Sequence, residues 1–221
     1  MKNIILIAPP AAGKGTQCAI LKEKYGYVHI STGDLLRAID ESSELGQKVG
    51  AIMKSGALVG DDIIFELMEE RLSKPDIQNG FVLDGFPRNI NQAKTYIKLC
   101  EKLGIDIGIA IYITISKELA LKRALGRLGC PTCNHIYSLY NPMLQPKISG
   151  ICDDCGDELI SRDDDNEETF STRFDTYLNN TQPLIDFFKD MDNLVTIEAH
   201  DDKMVVSREV ERVINNDQHQ I

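Results

Sequence analysis

"NIILIAPPAAGKGT", residues 3–16, joins an apolar run with strand character to a turn of small residues and then to a helical pattern. In such a turn several backbone N–H groups and the positive end of a helix meet at one point, which suits phosphate. Lys14 can reach the outer phosphates of a nucleotide, and Gly13 and Gly15 let the backbone approach phosphate oxygens closely. The segment predicts a phosphate-binding loop between a first strand and a first helix.

The loop departs from the usual pattern, GxxxxGK followed by Ser or Thr, at two places. Its first position is Ala8, and Lys14 is followed by Gly15, with Thr16 one place later. Ala11 is a further departure, because a β-carbon in a left-handed conformation costs roughly 1–2 kcal/mol. That strain would lower nucleotide affinity about tenfold, whereas a negative φ at this residue would cost nothing. Taken alone, the segment also fits a strand end followed by an ordinary helix start.

Short apolar runs alternate with longer helical patterns along the rest of the chain. Strands are predicted at residues 3–8, 27–30, 81–84, 107–115 and 193–199. Helices are predicted at residues 14–25, 89–103, 117–127, 167–190 and 203–215, and another begins after Ser31 and Thr32 as candidate N-caps. This alternation is typical of an α/β fold in which helices cover both faces of a parallel sheet.

Two segments interrupt the alternation. Residues 31–75 hold several short helical patterns and no predicted strand, between the second and third strands. Residues 128–163 are rich in Pro, Gly and Cys and follow the fourth strand and its helix. We therefore expect a small helical excursion and a second, separate insert on the α/β core.

The composition limits the classes of function. The 221 residues carry a formal net charge of −10, and nucleic acid is bound by clustered Lys and Arg, so no nucleic-acid partner is expected. The apolar run "IILIA" is shorter than the ~7 to 15 residues of a signal-peptide core. No run approaches the ~18 apolar residues of a membrane span. We expect a cytoplasmic protein with reduced cysteines and no membrane partner.

Four of the six cysteines form two CxxC pairs, at residues 130–133 and 152–155, separated by 18 residues. This spacing is typical of tetrahedral zinc, and four thiolates would close the coordination sphere, as in structural sites. Reduced or redox-active thiols are the alternative. The remaining two, Cys18 and Cys100, lie on apolar helix faces and are expected to be buried small residues. The candidate zinc ligands are Cys130, Cys133, Cys152 and Cys155.

Five motifs occur in an order and at spacings that resemble the adenylate kinase family. They are "GKGTQ" at 13–17, "STGDLLR" at 31–37, "DGFPR" at 84–88, "RALGR" at 123–127 and "SRDDDNEET" at 161–169, with Gln92 and Arg173 following two of them. The match covers essentially the whole chain. It implies a P-loop kinase with a five-stranded parallel sheet, in a core of residues 1–30, 61–127 and 164–221. It also implies a helical AMP-binding domain at residues 31–60 and a zinc-ribbon-like lid at residues 128–163.

The resemblance implies an enzyme that reversibly transfers the γ-phosphoryl group of MgATP to AMP and gives two ADP. The ATP phosphates would be held by Ala11, Ala12, Gly13, Lys14, Gly15, Thr16 and Arg127, and the ATP base by Arg123, Ile136, Tyr137 and Lys203. AMP would be held by Thr32, Arg37, Ala57, Leu58, Val59, Gly85, Phe86, Pro87, Arg88 and Gln92. Arg162 and Arg173 would clamp the transferring group and also contact AMP, and Asp84 would orient the waters around Mg²⁺. The implied catalytic set is Lys14, Asp84, Arg88, Arg123, Arg127, Arg162 and Arg173.

The arginines agree with this chemistry. Phosphoryl transfer passes through a loose, anionic transition state, so planar and permanently charged groups must surround the phosphates. A single arginine is more often a surface ion pair worth ~0–1 kcal/mol, but six in matching order predict a shared site. These six of the chain's nine arginines are Arg37, Arg88, Arg123, Arg127, Arg162 and Arg173.

Three of the implied site residues also have simpler interpretations. Asp84 follows a strand and could cap a turn, although ligands of α/β folds also bind at that end of the strands. Gln92 could be a solvated helix residue, and Thr32 could be only an N-cap. In the resembled family, a threonine at the position of Thr32 faces the AMP base and favours AMP over UMP or CMP.

Other functions stay open at this stage. Another nucleoside monophosphate kinase, or an AMP kinase that uses GTP, would share the motifs. A non-catalytic zinc-ribbon module that binds nucleic acid or protein is a different class. Lys147 is the only Lys or Arg from Cys130 to Glu158, so the insert lacks the basic surface that nucleic acid needs. We expect ATP, AMP and ADP as the only partners, with Mg²⁺ and structural Zn²⁺, and a monomer.

Overall fold

The protein is described by a computed structural model over residues 2–55, 57–133 and 135–216. Its strands are β1 (Ile4–Ile7), β2 (Val28–Ser31), β3 (Phe81–Asp84), β4 (Ile109–Thr114), β5 (Arg127–Gly129), β6 (Ile136–Ser138) and β7 (Leu194–Glu198). Five of them form one parallel sheet in the order β2-β3-β1-β4-β7, while β5 and β6 pair antiparallel. The predicted five-stranded parallel sheet is confirmed.

The helices lie mostly where the sequence predicts them. They are α1 (Lys14–Tyr25), α2 (Thr32–Arg37), α3 (Glu44–Lys54), α4 (Asp61–Leu72), α5 (Ile90–Leu103), α6 (Lys117–Leu125), α7 (Glu167–Thr176), α8 (Pro183–Asp190) and α9 (Lys203–Asn216). Short 3₁₀ turns occur at Pro75–Asn79 and Pro142–Leu144.

Two predicted helix ranges were wrong in detail. The predicted helix at 167–190 is interrupted by a π-helical turn, Tyr177–Thr181, before α8 begins at Pro183. Pro183 has no N–H and cannot continue the regular hydrogen-bond ladder, so it fits only as the start of a new helix. The predicted helix at 117–127 ends at Leu125, because the chain turns at Gly126 and enters β5.

The residues of β1 show how the sheet is covered. Ile5 and Ile7 belong to the hydrophobic cluster that includes Met68, Tyr96 and Phe188. Ile4 and Leu6 belong to a second cluster that includes Cys18, Leu21 and Val206. Alternate residues of a strand point to opposite faces, so both faces of β1 are buried under helices. This double burial explains why the strands appear in the sequence as continuous apolar runs.

The strand register brings three loops to one edge of the sheet. Leu6 of β1 and Ser31 of β2 both lie opposite Asp84 of β3. The loops that follow these strands begin within a residue or two of these positions and therefore lie side by side. They carry three of the five matched motifs, at the carboxyl edge where parallel sheets bind ligands.

The two predicted inserts have different structures. Residues 32–72 hold the three helices α2, α3 and α4, which agrees with a helical excursion. The β5–β6 hairpin has a small hydrophobic core of its own, made by Cys130, Tyr137, Cys152 and Leu159. Within the described residues, no helix has both the length and the apolar composition that a membrane span requires.

Candidate functional site

The turn between β1 and α1 has room for an anion. Gly13 caps α1 with φ of 99°, a conformation that side chains rarely adopt. A β-carbon built on Gly13 or Gly15 would meet no atom within 4 Å, so the space beside these two glycines is open. Free N–H groups at a helix start and unfilled space beside them fit a phosphate group.

Lys14 is folded back over this turn. Its Nζ donates hydrogen bonds to the carbonyl oxygens of Ala8, at 3.1 Å, and Pro9, at 3.5 Å. Burial lowers the pKa of Lys14, and the nearby cations Arg88 and Arg173 lower it further, while the carboxylate of Asp84 opposes them. The ammonium group therefore lies in the same small region as two of the predicted arginines.

The sequence left open a left-handed or a negative φ at Ala11, and the structure has the strained, left-handed conformation with φ of 60°.

We expect Ala11→Gly to raise the free energy of unfolding by about 0.5 to 1 kcal/mol. Relief of roughly 1–2 kcal/mol of strain exceeds the ~0.4–1 kcal/mol of added freedom in the unfolded chain. Urea denaturation measures the change. Ala12→Gly is the matched control, since Ala12 is buried and free of this strain, and it should lose about 1 kcal/mol. Equal losses in both variants would contradict the strain.

Asp84 ends β3 beside the turn. Its Oδ2 lies 3.5 Å from Nε2 of His29 on β2, and its side chain is 18% exposed. Burial alone would raise the pKa of Asp84, but the His29 imidazole and the Lys14 ammonium outweigh burial and lower it. Asp84 is therefore held as a carboxylate at the carboxyl edge of the sheet, next to the phosphate loop.

The loop after β3 packs tightly against α2. The hydroxyl of Thr32 donates to the carbonyl of Gly85 at 2.9 Å, and Nε of Arg88 donates to the same carbonyl at 2.7 Å. A β-carbon on Gly85 would lie 2.8 Å from the Arg88 guanidinium and 3.0 Å from the Thr32 hydroxyl, so no side chain fits there. Ser31, not Thr32, caps α2 by accepting from the Asp34 N–H. The N-cap alternative for Thr32 was wrong.

Gln92 lies under the same loop and is 2% exposed, so its interpretation as a solvated residue was also wrong. Its Oε1 accepts from the Arg88 N–H at 2.7 Å, and its Nε2 donates to Asp61 Oδ1 at 2.8 Å. Asn89 and Asn91 also donate to Asp61, at 3.3 and 2.7 Å. Gln92 is thus held between the backbone of the loop and the first residue of α4.

The cations of three distant segments form one cluster. Burial lowers the pKa of Arg88, the carboxylate of Asp84 opposes this effect, and the nearby charges of Arg173 and Arg37 lower the pKa further. Partial burial, Arg127 and Arg37 lower the pKa of Arg162 in the same way. Neighbouring positive groups repel one another when no anion lies between them. A highly charged anion bound among these cations would relieve the repulsion.

Carboxylates partly neutralise the cluster. Arg173 donates to Asp164 at 2.6 Å, and both the Nε and a terminal nitrogen of Arg127 donate to Asp165, whose side chain is only 2% exposed. Arg37 pairs with Asp34 on α2. Within the described part of the chain, no carboxylate pairs with Arg88 or Arg162. These two arginines are the most available to an incoming anion.

The four lid cysteines lie together. All four Sγ atoms lie within 4.8 Å of one another, with 3.3 Å between Cys130 and Cys155 and 3.4 Å between Cys133 and Cys152. Zinc–sulfur bonds of ~2.3 Å in a tetrahedron place sulfurs about 3.8 Å apart. The cluster therefore fits one tetrahedral zinc ion after a small expansion.

Comparisons with known proteins agree with this geometry. The family profile described as adenylate kinase matches residues 6–193. The chain is 45% identical to the adenylate kinase of Thermosipho melanesiensis, over 96% of this chain and 99% of the relative. The chain belongs to the adenylate kinase family. The adenylate kinases of Oceanobacillus iheyensis and Archaeoglobus fulgidus are 44% and 41% identical to it, each over 96% of this chain and over 98% and 97% of their own lengths.

Family membership confirms the predicted class of enzyme, a phosphotransferase with a P-loop kinase fold. The structure brings Lys14, Asp84 and Arg88 together with Thr32 and Gln92 at the carboxyl edge of the sheet. The residues predicted to line the ATP base are divided between the β5–β6 hairpin and the surroundings of α9. The roles of the individual residues stay predictions.

The side chain of Tyr137 belongs to the lid rather than to an open pocket. It is 3% exposed, its ring stacks on His135 with centroids 4.6 Å apart, and its hydroxyl accepts from the Asp153 N–H at 2.7 Å. The hydroxyl also lies 3.6 Å from Sγ of Cys152. Its side chain therefore supports the cysteine cluster.

Ile136 begins β6 next to Tyr137, whereas the other two residues of the predicted base site lie around α9. Arg123 donates to Asp201 at 3.0 Å, in the loop before α9. Lys203 begins α9, and its carbonyl accepts from Nε2 of Gln17 on α1 at 3.0 Å. Through Gln17 this region contacts α1, the helix that follows the phosphate loop. In the segment predicted to bind AMP, Val59 is buried and Ala57 is exposed between α3 and α4.

Sequence reasoning missed the acidic partners of the site. Asp61, Asp164, Asp165 and Asp201 each bind a predicted site residue, yet none was assigned a role. Asp164 and Asp165 stand in the quoted motif at 161–169, so that motif was a usable signal. For Asp61 and Asp201 no local pattern indicates the contact, because it depends on the tertiary fold.

Proposed function

We propose that this chain catalyses the family's reaction, reversible transfer of the γ-phosphoryl group of MgATP to AMP, in the cleft between the phosphate loop and the cation cluster. The observation that carries the proposal is the convergence of cations from distant segments. In addition to burial, Arg88 and Arg173 lower the pKa of Lys14, and Arg173 and Arg37 lower the pKa of Arg88. Arg127 and Arg37 likewise lower the pKa of Arg162. The phosphate groups of the two nucleotides supply the negative charge that relieves this repulsion. Bringing reactants together and neutralising charge is most of what phosphoryl transfer needs.

ATP occupies the half of the cleft formed by the phosphate loop. The amides of residues 11–16 and Lys14 hold its phosphates, since the space in front of Gly13 and Gly15 is open. Arg127 reaches the phosphates from the end of the core next to the lid, and Arg123 faces the base. The carboxylates paired with both arginines stay in place as a scaffold or exchange their partner for phosphate.

AMP occupies the half formed by α2 and the loop after β3. Arg88 keeps its bond to the Gly85 carbonyl and directs its terminal nitrogens at the AMP phosphate. Arg37 approaches the same phosphate, while Thr32, Gln92 and the backbone at 57–59 surround the base. Gln92 is already fixed by Asp61 and the Arg88 N–H, so little ordering is required on binding.

Asp84 fits a role beside the magnesium that adenylate kinases use with ATP. Its carboxylate stays ionised at the edge of the phosphate loop, as the lowered pKa indicates. Magnesium usually keeps several of its waters in nucleotide sites, and when bound it neutralises phosphate charge. Asp84 would hold those waters and so orient the ion without displacing its hydration shell.

Residues 31–60 and 128–163 act as two mobile domains around a core of residues 1–30, 61–127 and 164–221. Arg37 lies on the first of these predicted domains and lowers the pKa of Arg88. It also lowers the pKa of Arg162, which lies on the second. Bound nucleotides would draw both domains inward by pairing with these charges. Closure excludes water from the transferring group and so protects ATP from hydrolysis.

One chain carries both halves of the proposed site, which supports a monomer. Its unpaired thiols suit the reducing cytoplasm.

The lid cysteines are proposed to hold one structural zinc ion. We expect metal analysis of purified protein to find about one zinc per chain, and Cys155→Ala to lose it and lower the melting temperature by at least about 5 °C, because zinc binding contributes folding energy. Cys100→Ala, which removes a buried thiol on α5, is the matched control and should keep the metal. A fully active, metal-free protein with four titratable lid thiols would contradict this site.

A coupled assay of donors and acceptors tests the function. ATP should be the preferred donor and AMP should exceed CMP, UMP and GMP as acceptor by at least about 100-fold in kcat/KM, since a site that hydrogen-bonds a base rejects one with the wrong groups. Equal use of UMP or CMP would favour another nucleoside monophosphate kinase. A preference for GTP would assign a different donor. Zinc-dependent binding of a macromolecule without any transfer would favour the non-catalytic module.

A further inference from the structure

A second group of metal-binding side chains lies beneath the phosphate loop. Cys18 on α1, His29 on β2 and Asp84 on β3 place their candidate ligand atoms within 4.8 Å of one another. Within the described residues, only the lid cysteines form another such group. The three side chains come from three different elements, so the sheet and the first helix fix their relative positions.

His29 has a ring nitrogen that the protein does not satisfy. Its Nε2 is buried and makes no hydrogen bond within the described residues, although Asp84 Oδ2 lies 3.5 Å away. That separation is too long for a well-formed hydrogen bond, and buried polar atoms of native proteins almost always have a partner. A metal ion between these two atoms would give the nitrogen its missing interaction.

Cys18 supplies the third ligand and sets the choice of metal. It is fully buried among Ile4, Leu21 and other apolar side chains, with its sulfur facing His29 and Asp84. One sulfur, one imidazole nitrogen and one carboxylate oxygen suit Zn²⁺ or Co²⁺. Magnesium prefers oxygen ligands alone and would not compete for this set.

We propose that Cys18, His29 and Asp84 form an inhibitory site for a borderline divalent transition ion such as Zn²⁺ or Co²⁺. Binding forms bonds from the metal to Sγ, Nε2 and a carboxylate oxygen, and the Cys18 thiol releases its proton to solvent. The ion brings two positive charges and the proton removes one, so the region next to Lys14 gains one positive charge. The bound ion also withdraws Asp84 from the waters of Mg²⁺. The inhibition rests on the proposed role of Asp84, but the metal binding does not.

Cobalt provides a test that does not depend on activity. Protein with zinc in its lid is titrated with Co²⁺, because zinc holds its site more tightly than cobalt and the lid is not exchanged. We expect one cobalt per chain and a thiolate-to-cobalt charge-transfer band in the near ultraviolet. Cys18→Ala should abolish this band. Cys100→Ala, the loss of the other buried thiol outside the lid, should leave it unchanged.

Inhibition is measured on the same three proteins with saturating MgATP and AMP. Co²⁺ should inhibit the wild type and Cys100→Ala at concentrations at least about tenfold lower than Cys18→Ala, since loss of an outer-shell partner already weakens a metal site about 10- to 100-fold and loss of a ligand costs at least as much. Formation of a cobalt–ATP complex affects all three proteins equally and cancels in the comparison.

A second variant covers the case in which Cys18→Ala does not fold. His29→Gln keeps the thiol and should weaken cobalt binding, seen as a rightward shift of the band titration by at least about tenfold. A wild-type protein without the band, or a band that persists unchanged in both Cys18→Ala and His29→Gln, would overturn the proposal. A protein that shows the band but no kinase activity would retain the metal site and refute the proposed function instead.

Discussion

Replacement of Lys14 by alanine is expected to lower kcat by about 10³-fold, the upper end of the loss that follows removal of one preorganised charge donor. Lys14 is the cation nearest the phosphate loop, with its Nζ within 3.5 Å of two loop carbonyls. In the transition state it can leave these neutral acceptors for phosphate oxygens, where negative charge is concentrated. Steady-state kinetics with ATP and AMP measures the loss.

The same variant should fold normally. Burial lowers the pKa of Lys14, so its charged form is unfavourable in the folded protein and its removal relieves that cost. We expect the melting temperature to change by less than about 3 °C. Lys22→Ala is the matched control, since Lys22 is an exposed residue of α1, and it should change neither quantity. Near-normal turnover in Lys14→Ala would remove the phosphate loop from the mechanism.

Arg88→Lys is expected to lower kcat/KM for AMP by about 10²-fold, although it keeps the positive charge. Arg88 donates one hydrogen bond to the Gly85 carbonyl through Nε and has its terminal nitrogens left for a phosphate. A lysine has a single nitrogen and cannot hold that carbonyl while it binds the phosphate at two points. The dependence on ATP concentration should change much less, because Arg88 belongs to the AMP half.

Arg71→Lys provides the comparison for this prediction. Arg71 is the arginine of α4, lies outside the matched motifs and pairs with Asp76 at 2.7 and 2.9 Å. Its replacement should leave kcat/KM for both substrates within about twofold, as expected of a surface ion pair worth ~0–1 kcal/mol. If the two arginine variants behave alike, or if Arg88→Lys acts mainly on ATP, the assignment of Arg88 to AMP is wrong.

The sheet could be predicted from sequence because burial on both faces leaves a simple signal. Ile4 and Ile5 pack into different clusters, so β1 is apolar at every position and stands out against its surroundings. The phosphate loop then shows where the first strand gives way to the first helix, since its small residues and Lys14 mark where β1 ends and α1 begins. The break at Tyr177–Thr181 was missed because both flanking segments have helical patterns. Pro183 was the available signal.

The site was predictable as a set of cations and less so as a geometry. The six arginines could be chosen by motif order, but their carboxylate partners depend on contacts such as Arg123 with Asp201, 78 residues apart. Gln92 was expected to be either solvated or functional, and only the fold shows that Asp61 buries and fixes it. Local patterns do not carry such long-range pairs.

The conformation of Ala11 is another feature that the local sequence could not decide. The sequence allowed either a left-handed or a negative φ at this residue, and the structure has 60°. The loop is closed at both ends by β1 and α1, so the positions of these two elements decide the angle and the alanine tolerates it. The strain is small beside the burial of the two clusters on either side of the sheet.

Calorimetry with a bisubstrate analogue, two adenosines joined by five phosphates, tests the central claim most directly. If the phosphate loop and the arginines of distant segments surround one cleft for two nucleotides, one analogue should bind per chain, more tightly than either ATP or AMP, and should abolish binding of both. Lys14→Ala and Arg88→Lys should each weaken it. An analogue that displaces ATP while AMP still binds would show that the two nucleotides occupy separate sites.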